Sequence, residues 1–249
     1  MKKIIGLIIV FLCLSCTSDS GWDCIKTSGR IIQQEIPVPE FDKITVWEKT
    51  KLFIQEGANY EVIVETGENL LSKVAVSVVD GRLEIRNNTI CNLLRDYGIT
   101  KVYVTAPNIT EIRSSTELGV ESIGTLTYPK LSLLSDDFGE AGSTHTSGDF
   151  TMQLDIEELH VVANGRSKFY LNGQAKLASI GLYAGDCRVY AEDLIIQNLN
   201  LFHRSTGPMV VNPQESIRGE IVGWGDVIAK NRPPIVEVEE LYEGRLIFE

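Results

Sequence analysis

A turn glycine recurs through the C-terminal half of the chain, at Gly165, Gly185, Gly207, Gly225 and Gly244, with separations of 20, 22, 18 and 19 residues. Each is flanked in the same way. An alternating apolar segment ends shortly before it, as at Leu159 and Val161, Ile180 and Leu182, Leu199 and Leu201, or Val236 and Val238. A second begins just after, as at Phe169 and Leu171, Val189 and Ala191, Met209 and Val211, Val227 and Ala229, or Leu246 and Phe248. Period-two alternation marks half-buried β-strands. One such unit cannot bury its own apolar face, whereas units stacked ~4.8 Å apart share a continuous interior. The spacing therefore predicts an all-β fold, a β-solenoid of the single-stranded right-handed β-helix type. An antiparallel sandwich would not repeat strand, glycine and strand in one order at near-constant spacing. Asn164-Gly165, Gly185-Asp186 and Gly225-Asp226 are read as corners that need positive φ.

Upstream the pattern is less regular. Alternation at Ile44 and Val46, at Tyr60, Val62 and Val64, at Val74, Val76 and Val78, and at Leu83 and Ile85 predicts further strands. Asp80-Gly81 between two of them is a two-residue hairpin signal. Residues 68–73 are at most a helical turn, and the looser spacing near Gly119 and Gly142 makes the first rungs irregular. Residues 30–249 are read as a single β-solenoid domain with irregular N-terminal strands.

The N-terminus sets the address. Met1-Lys2-Lys3 followed by an apolar run from Ile4 to Leu14 is an export signal too short to remain as a membrane span. Ser15 before Cys16 matches lipoprotein processing, so residues 1–15 are read as a signal peptide. Cys16 then carries the lipid, and residues 16–29 hold the lipidated cysteine and a polar tether. Cys13 follows bulky Leu12 and suits cleavage less well. The anchored product belongs in the cell envelope, at the outer membrane, and Thr17 is compatible with that sorting.

Losing the signal leaves 21 basic against 34 acidic side chains, a net charge of −13. That sign repels phosphate, so no nucleic-acid partner is expected. Of the five cysteines, Cys24, Cys91 and Cys187 remain as thiols. Cys24 and Cys91 lie in the N-terminal third, each beside a strand-like segment, and outside the cytoplasm such a pair tends to oxidise. They are expected to form a disulfide, leaving Cys187 as a small buried apolar residue. No Cys-x-x-Cys or Cys-x-x-His spacing supports zinc.

Asp136, Asp137 and Glu140, with Asp149 further on, gather oxygen ligands of the kind Ca²⁺ takes. The glycine and aspartate spacing of calcium β-rolls is absent, so a solvated turn is the favoured reading and no metal or other cofactor is expected. His145, His160 and His203 sit in no metal or nucleophile motif, and no phosphate loop, dinucleotide fingerprint or Gly-x-Ser-x-Gly elbow occurs. Aromatics are more informative. Tyr170 and Tyr190 each fall five residues after a repeat glycine, so they should stack on adjacent rungs and point outward, with Tyr183 or Trp224 nearby, as an aromatic surface for a sugar ring. The plainer role, rings that stabilise the ladder or lie under a loop, is the favoured reading.

Phe41-Asp42-Lys43-Ile44 leads to Leu52-Phe53-Ile54-Gln55-Glu56-Gly57, then Val62-Ile63-Val64-Glu65, Glu68-Asn69-Leu70-Leu71 and Gly81-Arg82-Leu83-Glu84-Ile85. Further on come Ala191-Glu192-Asp193-Leu194, Gly223-Trp224-Gly225-Asp226-Val227, Pro233-Pro234 and Gly244-Arg245-Leu246. This succession resembles the putative auto-transporter adhesin (head GIN domain) family found among Bacteroidetes lipoproteins. The resemblance implies a β-solenoid at the cell envelope without established enzymatic activity, and it carries over no catalytic residue. Asp186, Thr206 and Trp224 replace the family's Gly-Ser-Gly turns, so any ligand surface there is particular to this chain.

The sequence thus points to a non-enzymatic, lipid-anchored module that binds a glycan or a protein partner. The rivals are a carbohydrate-active β-helix enzyme, a lyase or glycoside hydrolase with converging carboxylates, and a structural subunit of an envelope assembly. Radiolabelled palmitate fed to expressing cells should label the chain, and Cys16→Ala should abolish the label. Label that survives in Cys16→Ala and disappears in Cys13→Ala would move the anchor to Cys13.

Overall fold

Parallel backbone ladders dominate the architecture. The computed structural model describes residues 27–89, 98–138 and 145–249, so Cys13, Cys16, Cys24, Cys91 and Glu140, with the signal, the anchor and the expected disulfide, lie outside the described residues. Within them the chain is all-β, with one short 3-10 turn, Leu71–Lys73, where a single helical turn was expected. No helix among the described residues is long and apolar enough to cross a membrane.

In chain order the strands are β1 (Ile31–Glu35), β2 (Lys43–Trp47), β3 (Lys51–Glu56), β4 (Glu61–Gly67), β5 (Val74–Val79), β6 (Arg82–Asn87), β7 (Lys101–Ala106), β8 (Glu111–Ser115), β9 (Val120–Leu126) and β10 (Lys130–Ser135). Four long strands follow, β11 (Phe150–Ala163), β12 (Lys168–Leu182), β13 (Arg188–His203) and β14 (Met209–Ile221). Three short ones close the chain: β15 (Val227–Ala229), β16 (Ile235–Glu240) and β17 (Leu246–Phe248). Among the described residues all 17 are hydrogen-bonded into one open, curled sheet.

Each long strand carries both halves of a repeat without a break. The first half continues a strip in which β4, β7, β3, β9, β11, β12, β13, β14, β15 and β17 follow one another. The second half continues another, through β6, β2, β8, β10, β11, β12, β13, β14 and β16. Irregular register rather than a turn makes the bend between the halves, with shifts between Tyr170 and Gly173 and again between Tyr190 and Ile195. Gly173, at φ 106, sits at this bend with its Cα against the Leu154 carbonyl.

Register converts alternation into a core. In the first strip Val64, Val102, Leu52, Val120, Phe150, Phe169, Val189, Met209, Val227 and Leu246 fall on one inward column. In the second, Leu83, Ile44, Ile112, Leu133, Val161, Ile180 and Leu201 do the same. All but the terminal Leu246 are buried, and Phe150 and Phe169 stack at 4.8 Å. Burying a side chain of this size contributes about 1.5–3 kcal/mol.

The N-terminal strands depart from the all-parallel pattern, since β4 runs antiparallel to both β1 and β7 and β5 antiparallel to β6. The β5–β6 connection is the expected hairpin, with Asp80 at φ 49 and Gly81 at φ 74. The corners differ from expectation. Only Gly185 among the five repeat glycines has positive φ, at 75. The physical reason for glycine elsewhere is stacking: a Cβ on Gly165 would lie 2.0 Å from Thr146 Oγ1, and one on Gly225 would lie 2.1 Å from the Gly207 carbonyl oxygen.

Gly185 combines both constraints, because its Cβ would stand 2.0 Å from the Gly165 carbonyl oxygen. Gly124 has φ 76 with nothing within 4 Å and isolates the dihedral cost. Gly124→Ala should therefore cost roughly 1–2 kcal/mol in urea unfolding, and Gly185→Ala clearly more. Equal losses would refute the account of stacked corners.

Candidate functional site

Side chains that alternate away from the first inward column form an outward one. Register places Ile63, Tyr103, Phe53, Glu121, Thr151, Tyr170, Tyr190, Val210, Ile228 and Ile247 along it in spatial order. The expected tyrosine pair is there: Tyr170 and Tyr190 are direct partners in the β12–β13 ladder, with ring centroids 5.1 Å apart and planes 14° from parallel. Tyr170 is 38% exposed and its flanking residues Phe169 and Leu171 are buried. Parallel strands one ladder step apart impose this stacking, so each ring keeps only its outer face and its edge for solvent.

A second stack on the same column was not foreseen. Phe53 and Tyr103 lie 4.9 Å apart at 11°, and the Lys51 ammonium sits 5.0 Å from the Phe53 centroid while pairing with Glu121 at 2.7 Å. Beside it Lys101 bonds Glu65 at 2.8 Å. That hydrogen bond, with another from Gln33, holds the Glu65 carboxyl below its usual range. At the C-terminal corner the Arg188 guanidinium does the same to Asp186 across 2.9 Å. Both shifts run opposite to what a general acid needs.

Tyr183 and Trp224 make other aromatic groups. Tyr183 folds over Gly181 and stacks on Phe202 at 5.1 Å, with Phe138 edge-on at 5.7 Å. Trp224, 62% exposed, meets Tyr242 edge-on at 5.2 Å. Both sit at the glycine corners, beyond the ends of the second-half strands, rather than on the tyrosine column.

Among the acidic candidates Asp136 is buried and receives Arg113 Nη1 at 3.2 Å on both carboxylate oxygens, while the Phe138 N–H donates to it at 3.0 Å. Both carboxylate oxygens thus have a protein partner. Asp137 accepts from Asn164, and Asp149 accepts the Lys168 N–H at 2.9 Å. No group of three or more His, Cys, Asp or Glu among the described residues is placed to hold a metal ion. Carboxylates do gather in a cleft of about 360 Å³ at the outer bend, but Asp155 is tied to Gln174 at 2.8 Å and Glu157 pairs with Lys176. His145 and His160 are exposed, and Cys187 is a buried free thiol pushed up to about 11 by burial.

The model of the family described as "Putative auto-transporter adhesin, head GIN domain" matches residues 40–233. Three solved structures share the fold at low sequence identity. A putative adhesin from Bacteroides fragilis superposes with a TM-score of 0.80 at 19% identity, over 90% of this chain and 100% of that one. A putative adhesin from Parabacteroides distasonis gives 0.67 at 16%, over 90% and 99%. A putative lipid binding protein from Parabacteroides distasonis gives 0.62 at 16%, over 89% and 100%. No curated protein matches by sequence.

His203, which sits in no sequence motif, is a buried ionisable group. It continues an interior position between Leu182 and Ile221, is 0% exposed, and neither ring nitrogen has a hydrogen bond of good geometry. Burial lowers its pKa from 6.5 to about 4, offset in part by the nearby Gly225 and Gly207 backbone. The native state thus stays unprotonated where the unfolded chain takes up a proton. The contribution to stability is complete above pH ~6.5 and is lost as pH falls towards ~4, by up to roughly 3 kcal/mol. Urea midpoints measured across that window should fall steeply in the native chain and more gently in His203→Leu, and parallel curves would contradict this assignment.

Proposed function

The chain belongs to the putative auto-transporter adhesin family, head GIN domain, and from that premise we propose that it is a non-enzymatic binding module held at the cell envelope by lipid on Cys16. The single observation that carries the reading is the stacked Tyr170–Tyr190 pair on an outward column in mid-sheet. Exposed aromatic carbon in register with a rigid ladder is a preorganised contact surface, and ordering it costs little further entropy on binding. The ligand is a glycan or a protein partner.

We read the stacked long strands as rungs of a right-handed β-helix. The parallel register supports this: Phe150 pairs with Phe169, Phe169 with Val189, Val189 with Met209, and Met209 with Val227, a regular offset close to one repeat. Right-handed connection between parallel strands is the strong rule. The polar tether preceding the strands lets such a module stand away from the membrane that holds its lipid. The name of the lipid-binding neighbour suggests another ligand class, but the inward columns here are filled by side chains, so a lipid would have to lie on the outer surface.

A glycan array probed with the soluble chain from residue 17 onward, with and without Ca²⁺, tests the proposal, followed by a turnover assay on every hit. Saturable binding without product is expected, and Tyr170→Ala with Tyr190→Ala should weaken it at least tenfold, about 1.4 kcal/mol. Product formation would make the chain a carbohydrate-active enzyme instead. Silence across the array would shift the reading to a protein partner or a structural role.

A further inference from the structure

We propose that the ligand is a neutral glycan chain that lies along the outward column and rests on two aromatic footings, Tyr170–Tyr190 and a second sugar subsite at Phe53–Tyr103. This deepens the binding-module reading and rests on it.

The second footing is a built cleft. It encloses about 220 Å³, with Phe53, Tyr103, Ile63 and Ile123 supplying aromatic and aliphatic carbon. Ile123 is 41% exposed and offers aliphatic carbon at the mouth of the cleft. Gln55, Glu61 and Thr105 lie around the same cleft, and among the described residues their side chains have no hydrogen-bond partner. A pyranose ring presents carbon-bound hydrogens on its faces and hydroxyl groups around its rim. An apolar floor with an amide, a carboxylate and a hydroxyl beside it complements both parts.

The two footings belong to one track. From Phe53 the register steps to Glu121, then Thr151, then Tyr170, three ladder steps or roughly 14 Å. The intervening side chains are polar, and Thr151 is exposed, so hydroxyl groups of a chain crossing between the stacks meet hydrogen-bonding partners rather than a barrier. A polymer of several sugars can touch both stacks at once, which a monosaccharide cannot. Linking two contacts in one ligand raises the effective concentration at the second.

Two features select the ligand class. β3 lies between β7 and β9, and β12 between β11 and β13, so the backbone groups beneath both stacks are already paired and an extended peptide cannot add as a further strand. Recognition must come from side chains. The Glu61 carboxylate at the cleft, on a chain with net charge −11, disfavours an anionic polysaccharide, whereas Glu121 is balanced by Lys51.

Calorimetric titration of the chain from residue 17 onward, which contains every described strand, tests this with malto-, cello-, xylo- and manno-oligosaccharides from dimer to hexamer. In one series affinity should rise at least tenfold with length. Hexamer binding should then fall at least tenfold both in Tyr170→Ala and in Gln55→Ala/Ile123→Ser, whose positions are exposed and whose urea midpoint should match the native chain. Hexamer binding that responds to Tyr170→Ala but not to the cleft double variant overturns the second subsite and leaves the binding-module reading intact. Affinity independent of length overturns the spanning chain. Failure of all four series, with binding of some other compound on the array, overturns the ligand class alone; failure of every compound removes the glycan reading with it.

Discussion

Backbone hydrogen bonding between parallel strands, one ladder step apart, governs nearly everything else in this molecule. Once Phe150 faces Phe169, and Phe169 faces Val189, every side chain on those strands inherits a neighbour above and below it. The inward positions become continuous apolar columns. The outward positions become equally continuous columns whose chemistry is whatever the sequence happens to place there. A register slip of one residue would exchange the two faces, and the buried columns make that slip prohibitively costly.

The same constraint explains the corners and the aromatics. Successive corners approach so closely that a methyl group at Gly165, Gly185 or Gly225 would collide with the corner before it. Outward rings at equivalent positions are forced into face-to-face stacks, as at Tyr170–Tyr190 and Phe53–Tyr103. Polar residues that fall on the inward side are handled by pairing, as Ser135 with Ser167 at 2.6 Å, or, for His203, by suppressing protonation.

What was legible in the sequence was local or strictly periodic. Asp80-Gly81 declared its hairpin because the turn chemistry is contained in two residues. Tyr170 and Tyr190 could be aligned because they share an offset from their glycines. Phe53 and Tyr103 could not, because β3 and β7 are separated by the antiparallel β4 and the β5–β6 hairpin, and no repeat relates them. Asp136 read as one acid among several, and only its burial against Arg113, 23 residues away, distinguishes it. The corner glycines were placed correctly but for the wrong reason at most positions, since sequence spacing reports that glycine is required and not whether dihedral or contact requires it.

By itself, then, the sequence determined the β character, the alternation of inward and outward residues and the repeat length in the C-terminal half, because each is encoded within a few residues or in a fixed period. Tertiary structure alone decided which distant strands became neighbours. That choice brought Phe53, Tyr103 and Tyr170 onto one face, sent Tyr183 and Trp224 to the corners, and engaged Asp136 with Arg113. Pairing between strands of irregular separation depends on the packing of the whole interior, and no local pattern carries that information.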